Sequence, residues 1–257
     1  MTWYERFGLQ KNPFTTNPFD ADYTLVNNTK IIDDVIYYTI AGHMIVLEGP
    51  SGSGKTMMLR QIIKKFEGQG KVVYVDGSKL KKDLDIEELL DQKGRGFFGS
   101  ITKTKPKNMI VLLDNVTTLS ARNFEKIKYY FDQNYIRSVM FTFDHSETVH
   151  VPQSVWDRVA KRHIVIPALI NFDALRIVRE RFSDHFFLPD AIILELFELA
   201  NHNVKKMLDY CDQVCAFVVE QGKGEVLPKY IKHAIKAEKQ QTKNRVSGEK
   251  MKAEVSE

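Results

Sequence analysis

Eight residues, GPSGSGKT at 49–56, satisfy the pattern G-x-x-x-x-G-K-[ST] at every fixed position. Each residue type has a chemical reason. Gly49, Gly52 and Gly54 let the backbone fold back so that successive N–H groups line one concavity, and the N-terminus of the following helix adds the positive end of its dipole. Lys55 supplies a point charge to the β- and γ-phosphates of a nucleotide, and the Thr56 hydroxyl a ligand for Mg²⁺. The nucleotide-binding candidates are therefore Gly49, Pro50, Ser51, Gly52, Ser53, Gly54, Lys55, Thr56 and Met57. The competing reading is a glycine-rich turn with an incidental lysine. Against it stand the apolar run HMIVLEG (43–49) directly before and the helical pattern of Met57, Met58, Leu59, Ile62, Ile63 and Phe66 directly after.

A second apolar run, MIVLLDN (109–115), ends in Asp114 and Asn115. Strand ends in sheets of this kind converge on the phosphate loop, which makes Asp114 the natural carboxylate for a magnesium held by Thr56. In a nucleotide hydrolase the next position is where a carboxylate would take the proton of the attacking water. Asn115 can hold a water by hydrogen bonds but cannot accept its proton. General-base help is worth ~10²–10⁴-fold, so slow hydrolysis is expected.

Around these residues the chain alternates strand and helix patterns. A helix over Thr29–Ala41 and strands at 43–49, 71–77, 109–115, 137–144 and 163–169 are expected, with helices after the phosphate loop and at 83–92 and 120–133, the last capped by Ser120. Such alternation predicts a mostly parallel sheet covered on both faces. From Asn171 four consecutive helical stretches follow. The expected organisation is an irregular arm over 1–28, containing Asn-Pro-Phe at 12–14 and 17–19, an α/β core over 29–170, a small helical domain over 171–238 and a charged, disordered tail over 239–257.

Composition sets the class. The chain has 257 residues, 43% apolar and 27% charged, with a net charge of +4. No run approaches the ~20 apolar residues of a membrane span, and the first residues lack a secretory signal pattern, so the cytoplasm is the expected compartment. Cys211 and Cys215, the two cysteines, fall on one face of a helical segment and read as small core residues.

The order of phosphate loop, apolar strand ending in aspartate, further strand and helical lid resembles the AAA+ ATPases. YERFGLQKNPF at 4–14 resembles the opening of the ExeA and TniB type members, relatives of the Cdc6/ORC proteins. The resemblance, over residues 4 to about 237, implies a P-loop AAA+ parallel sheet followed by a small all-helical lid, ATP with Mg²⁺ as ligands, and assembly into homo-oligomers or with related AAA+ subunits. It implies an arm near the adenine, with Asn12, Pro13 and Phe14 as candidates, the alternative being an aromatic stapled to the core. It implies an arginine finger before the fifth strand, offered by Arg162 or Arg158, and a lid residue sensing the γ-phosphate, where NHNVKK (201–206) places Lys205 instead of an arginine. Members commonly end the fourth strand in a neutral hydrogen-bond donor. Here Thr142 and Asp144 occupy that region, leaving three alternatives: Thr142 senses phosphate, Asp144 acts as a displaced base, or the site binds without efficient turnover.

Two functions follow from the resemblance. One is an ATPase that assembles in an ATP-dependent way on DNA and hydrolyses slowly; the other is a hydrolysis-deficient, nucleotide-gated scaffold or regulator of a protein partner. The stretch KGRGFFGSITKTKPK (93–107), with four lysines, an arginine and a Phe-Phe pair, is the candidate DNA contact. A small-molecule kinase would need an arginine cluster in the lid, and none is evident.

Overall fold

The alternating patterns fold, in a computed structural model, into an α/β unit, Asn27–Ala168, and a helical unit made of Met1–Val26 and Leu169–Glu257. The structure describes residues 2–20, 25, 28–67, 72–80, 84–94 and 107–235. In the α/β unit the elements are α1 (Thr29–Ala41), β1 (Met44–Glu48), α2 (Lys55–Lys65), β2 (Val72–Asp76), α3 (Ile86–Gly94), β3 (Met109–Asp114), α4 (Ala121–Asp132), β4 (Ile136–Phe143), α5 (Gln153–Val159) and β5 (His163–Val165). The strands pair in parallel in the order β2-β3-β4-β1-β5. The strand that precedes the phosphate loop therefore lies between β4 and β5, and β4 separates it from the strand carrying Asp114.

Burial on both faces explains the unbroken apolar runs of β1, β3 and β4. Met44 and Val46 of β1 join Phe124 and Ile127 of α4 and Val155 of α5 in one core cluster. Ile45 and Leu47 alternate to the other face and are equally buried, on the side where α1 meets β1 and β4 and α2 meets β3. Local signals set the element ends. Ser120 caps α4 by accepting from the Asn123 amide, Asp85 accepts from the amides of Glu87 and Glu88 at the start of α3, and Gly42 closes α1 in the left-handed region. The fifth strand is shorter than the expected 163–169. Ile166 still donates to the Glu48 carbonyl at 2.7 Å, but Pro167 has no amide with which to continue the ladder. The basic stretch 93–107 lies, from 95 to 106, outside the described residues, and so does the tail from 236.

The helical unit contains α6 (Asn171–Arg181), α7 (Asp190–Leu199) and α8 (Val204–Glu220), and residues 228–235 are also helical. Ile193, Leu196, Phe197, Met207, Val214 and Val218 fill its core together with both cysteines, which are free. Burial pushes both thiols well above the ordinary cysteine range, leaving them inert packing residues.

The described part of the N-terminal segment, expected as an irregular arm, packs its aromatic side chains into the helical unit. Trp3 and Phe14 belong to the core of the helical unit. Trp3 stacks on Phe14 with ring centroids 5.5 Å apart and donates its indole N–H to Asp212 at 2.6 Å, while Phe182 meets both rings edge-on. Aromatic burial of this size decides where the segment goes, because each ring withdraws ~150–250 Å² from water. The boundary with the α/β unit falls after Ala168. The two Asn-Pro-Phe triplets make the same local turn, Asn12 accepting from the Phe14 amide and Asn17 from that of Phe19. Their phenylalanines differ: Phe14 is 1% exposed and Phe19 47%. Phe14→Ala is thus expected to cost ~3–5 kcal/mol in denaturant unfolding, and Phe19→Ala less than ~1 kcal/mol.

Candidate functional site

The phosphate loop leaves β1 at Glu48 and enters α2 at Lys55. Gly52 and Gly54 hold φ of 84° and 98°, in the left-handed region that L side chains rarely enter. A Cβ on Gly49 would lie 2.9 Å from the Ile166 carbonyl oxygen, so the loop's first position also requires glycine. Ser53 presents a buried hydroxyl that has no hydrogen-bond partner. An orphaned donor inside a glycine-built loop at a helix N-terminus fits an oxyanion.

Lys55 is the centre of this loop. Its side chain is only 9% exposed, and its ammonium donates to the Gly49 carbonyl at 2.6 Å, the Pro50 carbonyl at 3.1 Å and Asp144 Oδ1 at 2.7 Å. Asp144 follows β4 and is 44% exposed. The sequence places Asp144 near the site, and the structure pairs it with the lysine.

Beside the loop, the Asp114 carboxylate takes part in three side-chain hydrogen bonds. Thr56 Oγ1 donates to Oδ2 at 2.7 Å, Tyr74 donates its phenol to the same oxygen at 3.0 Å, and Thr142 donates to Oδ1 at 2.5 Å. Thr142 Oγ1 in turn accepts from the Asn115 amide at 2.9 Å. The Thr142 hydroxyl has one proton, and it is committed to Asp114. In this arrangement Thr142 holds the carboxylate in place, a different task from donating towards phosphate, which is one of the three alternatives the sequence leaves open.

Tyr74 was not legible as a site residue. The parallel register that sets Asp76 opposite Asp114 places Tyr74 two residues earlier on the same face of β2. Burial, and then the adjacent Asp114 charge and hydrogen bond, push its phenol well above the ordinary range, so it remains a donor. Asn115 adopts φ 54°, a left-handed conformation that asparagine tolerates better than glutamate. Immediately after β2, Gly77 packs against this turn so closely that a Cβ would fall 2.4 Å from the Asn115 carbonyl oxygen.

A nucleotide's phosphates would be held by the loop amides, Ser53 and Lys55. A magnesium ion would take Thr56 and Asp114, a hydroxyl and carboxylate pair that suits a hard cation completed by phosphate and water oxygens. Bound there, it would neutralise phosphate charge. Among the described residues no group of three or more His, Cys, Asp or Glu side chains is arranged to bind a metal on its own.

The remaining candidates are dispersed. Arg162 donates to the carbonyls of Met44, at the start of β1, and Arg158. It therefore sits at the end of the sheet opposite the phosphate loop. Arg158 pairs with Asp132 at 3.0 Å. Lys205 is exposed in the first turn of α8, whose cap is Asn203 accepting from the Lys206 amide. Asn12, Pro13 and Phe14 lie in the helical unit, and Pro13 and Phe14 are buried there. The Phe14 ring faces Trp3 and Phe182, a core packing of the kind the stapled-aromatic alternative describes.

A sequence profile of the AAA domain matches residues 41–175, just over half of the chain. The chain belongs to the AAA domain family. The match covers β1, the phosphate loop, Asp114 and both residues at the end of β4. The fold is that of AAA+ proteins: Cdc6p from Pyrobaculum aerophilum has a TM-score of 0.68 at 13% identity, covering 89% of this chain and 71% of that one. Aeropyrum pernix Orc1, in a structure with DNA, has a TM-score of 0.67 at 13% identity, covering 89% and 69%. Among curated proteins, the general L-amino acid transport ATP-binding protein AapP of Rhizobium johnstonii is 38% identical over 68 residues, 26% of this chain and 26% of its own length. The chain thus spans about a quarter of the length of that relative. No helix among the described residues of this AAA protein is long and apolar enough to cross a membrane.

Two measurements test the site's internal bonding. Thr142→Val removes the donor to Asp114 and the acceptor of the Asn115 amide, and is expected to lower stability by ~1–3 kcal/mol in chemical denaturation. Glu48, before the loop, contacts His163 at 2.7 Å. Burial alone would raise its carboxyl, but hydrogen bonds from the Ser146 amide, His163 and the Ser146 hydroxyl outweigh burial and hold it below the ordinary value of 4.5. A depressed folded pKa lends stability that is full above 4.5 and is lost as the pH falls through the folded value. Glu48→Gln should flatten that acid limb in a pH series of melting temperatures.

Proposed function

We propose that this AAA protein is an ATP- and Mg²⁺-binding switch that hydrolyses slowly and assembles, in its triphosphate state, into homo-oligomers or with related AAA+ subunits on DNA. One observation carries the reading: the phosphate loop's Thr56 and β4's Thr142 both donate to Asp114, within 2.7 and 2.5 Å. The arrangement joins the phosphate-binding loop to the strand that would report on the γ-phosphate. Slow hydrolysis follows from Asn115, which has no proton-accepting carboxylate and whose left-handed backbone disfavours one. Those same features favour the second reading, a scaffold gated by nucleotide binding alone.

Arg162 is the proposed arginine finger. Its place at the sheet end away from its own phosphate loop suits action on a neighbouring subunit's nucleotide. Lys205 is the proposed lid contact to the γ-phosphate, as a point charge without arginine's fork. DNA contact is proposed through the basic stretch 93–107, and the likeness in fold to Orc1, whose structure includes DNA, supports it.

The test is calorimetry with Mg-ATP together with the mass in solution without nucleotide, with ADP and with a non-hydrolysable ATP analogue. Growth in mass only with the analogue, and loss of ATP uptake in Lys55→Ala, are expected; undiminished uptake by Lys55→Ala removes the reading. In an ATP turnover assay Asn115→Glu should raise the rate by ~10²-fold or more if the wild-type site lacks only its base. It should also cost ~1 kcal/mol of stability at a left-handed position.

A further inference from the structure

An ammonium group has three protons to donate. Those of Lys55 are all engaged: two bonds reach the loop carbonyls of Gly49 and Pro50, and the third reaches Asp144 Oδ1. A phosphate oxygen can bind this lysine only by replacing one of the three. The bond to Pro50 is the longest, 3.1 Å against 2.6 and 2.7 Å. A neutral carbonyl also competes less well than a carboxylate for an ammonium. One phosphoryl group, such as the β-phosphate, can therefore take the Pro50 position and leave Asp144 undisturbed.

A second phosphoryl group has no such neutral place. The remaining exchangeable partner is the carboxylate of Asp144, itself an anion seated 2.7 Å from the ammonium. Its position is fixed by the sheet. Asp144 follows Phe143, which lies opposite Glu48 in the β1–β4 register, so it emerges beside the start of the loop. The side chain is 44% exposed and has room to turn away, whereas the Gly49 carbonyl belongs to a loop position walled by Ile166.

We propose that Asp144 is a specificity-determining residue that occupies the terminal-phosphate position on Lys55 and so makes the site prefer a nucleoside diphosphate to the triphosphate. Triphosphate binding requires Asp144 to leave the lysine. If it stays, two anions share one ammonium, and their repulsion in a partly desolvated loop weakens binding. The inference rests on the nucleotide-binding reading above and adds to it a direction: an event that draws Asp144 away, such as docking of another subunit, admits the triphosphate.

Calorimetry on the full chain with Mg-ADP and with Mg-ATP separates the two claims. Wild-type protein is expected to bind ADP about tenfold more tightly than ATP, and Asp144→Asn, which keeps the shape and removes the charge, to bring the two within about threefold through a gain for ATP. Asp144→Ser gives the same readout should the amide disturb the end of β4. An ATP-to-ADP ratio that neither Asp144 variant moves, with both nucleotides still bound, overturns the role of Asp144 alone. Absence of any uptake by the wild-type chain overturns the nucleotide reading itself.

Discussion

The geometry of the site depends on one buried carboxylate. Asp114 is 5% exposed at the end of an apolar strand, where an unpaired charge would be costly, and hydroxyls from three elements compensate it: α2, β2 and β4. Because each donor comes from a different element, the carboxylate fixes the phosphate loop, the β2 edge and the β4 terminus relative to one another. Moving Thr56 or Thr142 leaves a lone pair on Asp114 without its proton. A change in what the loop binds therefore has a direct mechanical route into the sheet.

The second charge in the site obeys the same rule with a different result. Lys55 is nearly as buried as Asp114, and a cation there also needs partners. Two of them are backbone carbonyls of its own loop, but the anionic one comes from beyond β4. Carboxylates thus meet the loop from two neighbouring strands, with unequal freedom. Asp114 is enclosed by hydroxyls, whereas Asp144 stands in partial contact with solvent.

Much of this was legible in the residues. The glycine-rich loop and the apolar run before Asp114 are local patterns whose physics needs no partner, and both the parallel α/β class and the run of helices after Asn171 followed from periodicity. What stayed hidden depended on register or on distant packing. Tyr74 reads as an ordinary strand aromatic until the pairing of Asp76 with Asp114 is known. Two identical Asn-Pro-Phe triplets form identical turns, and nothing within either triplet says that Phe14 is enclosed by Trp3 and Phe182 while Phe19 is not. Asn115 was read for the proton it cannot accept; its left-handed backbone supplies a conformational reason for an amide at that position.

The helical unit is discontinuous in sequence, because the aromatic residues at its start are separated from α6–α8 by the whole α/β unit. A ribosome delivers the chain in order, and domains fold as they emerge. The contiguous α/β unit is therefore complete in sequence while Trp3 and Phe14 still await Phe182 and Asp212. Until α8 is synthesised, the nascent chain carries an unburied aromatic cluster beside a finished sheet, a period in which chaperone capture or aggregation competes with closure of the second core.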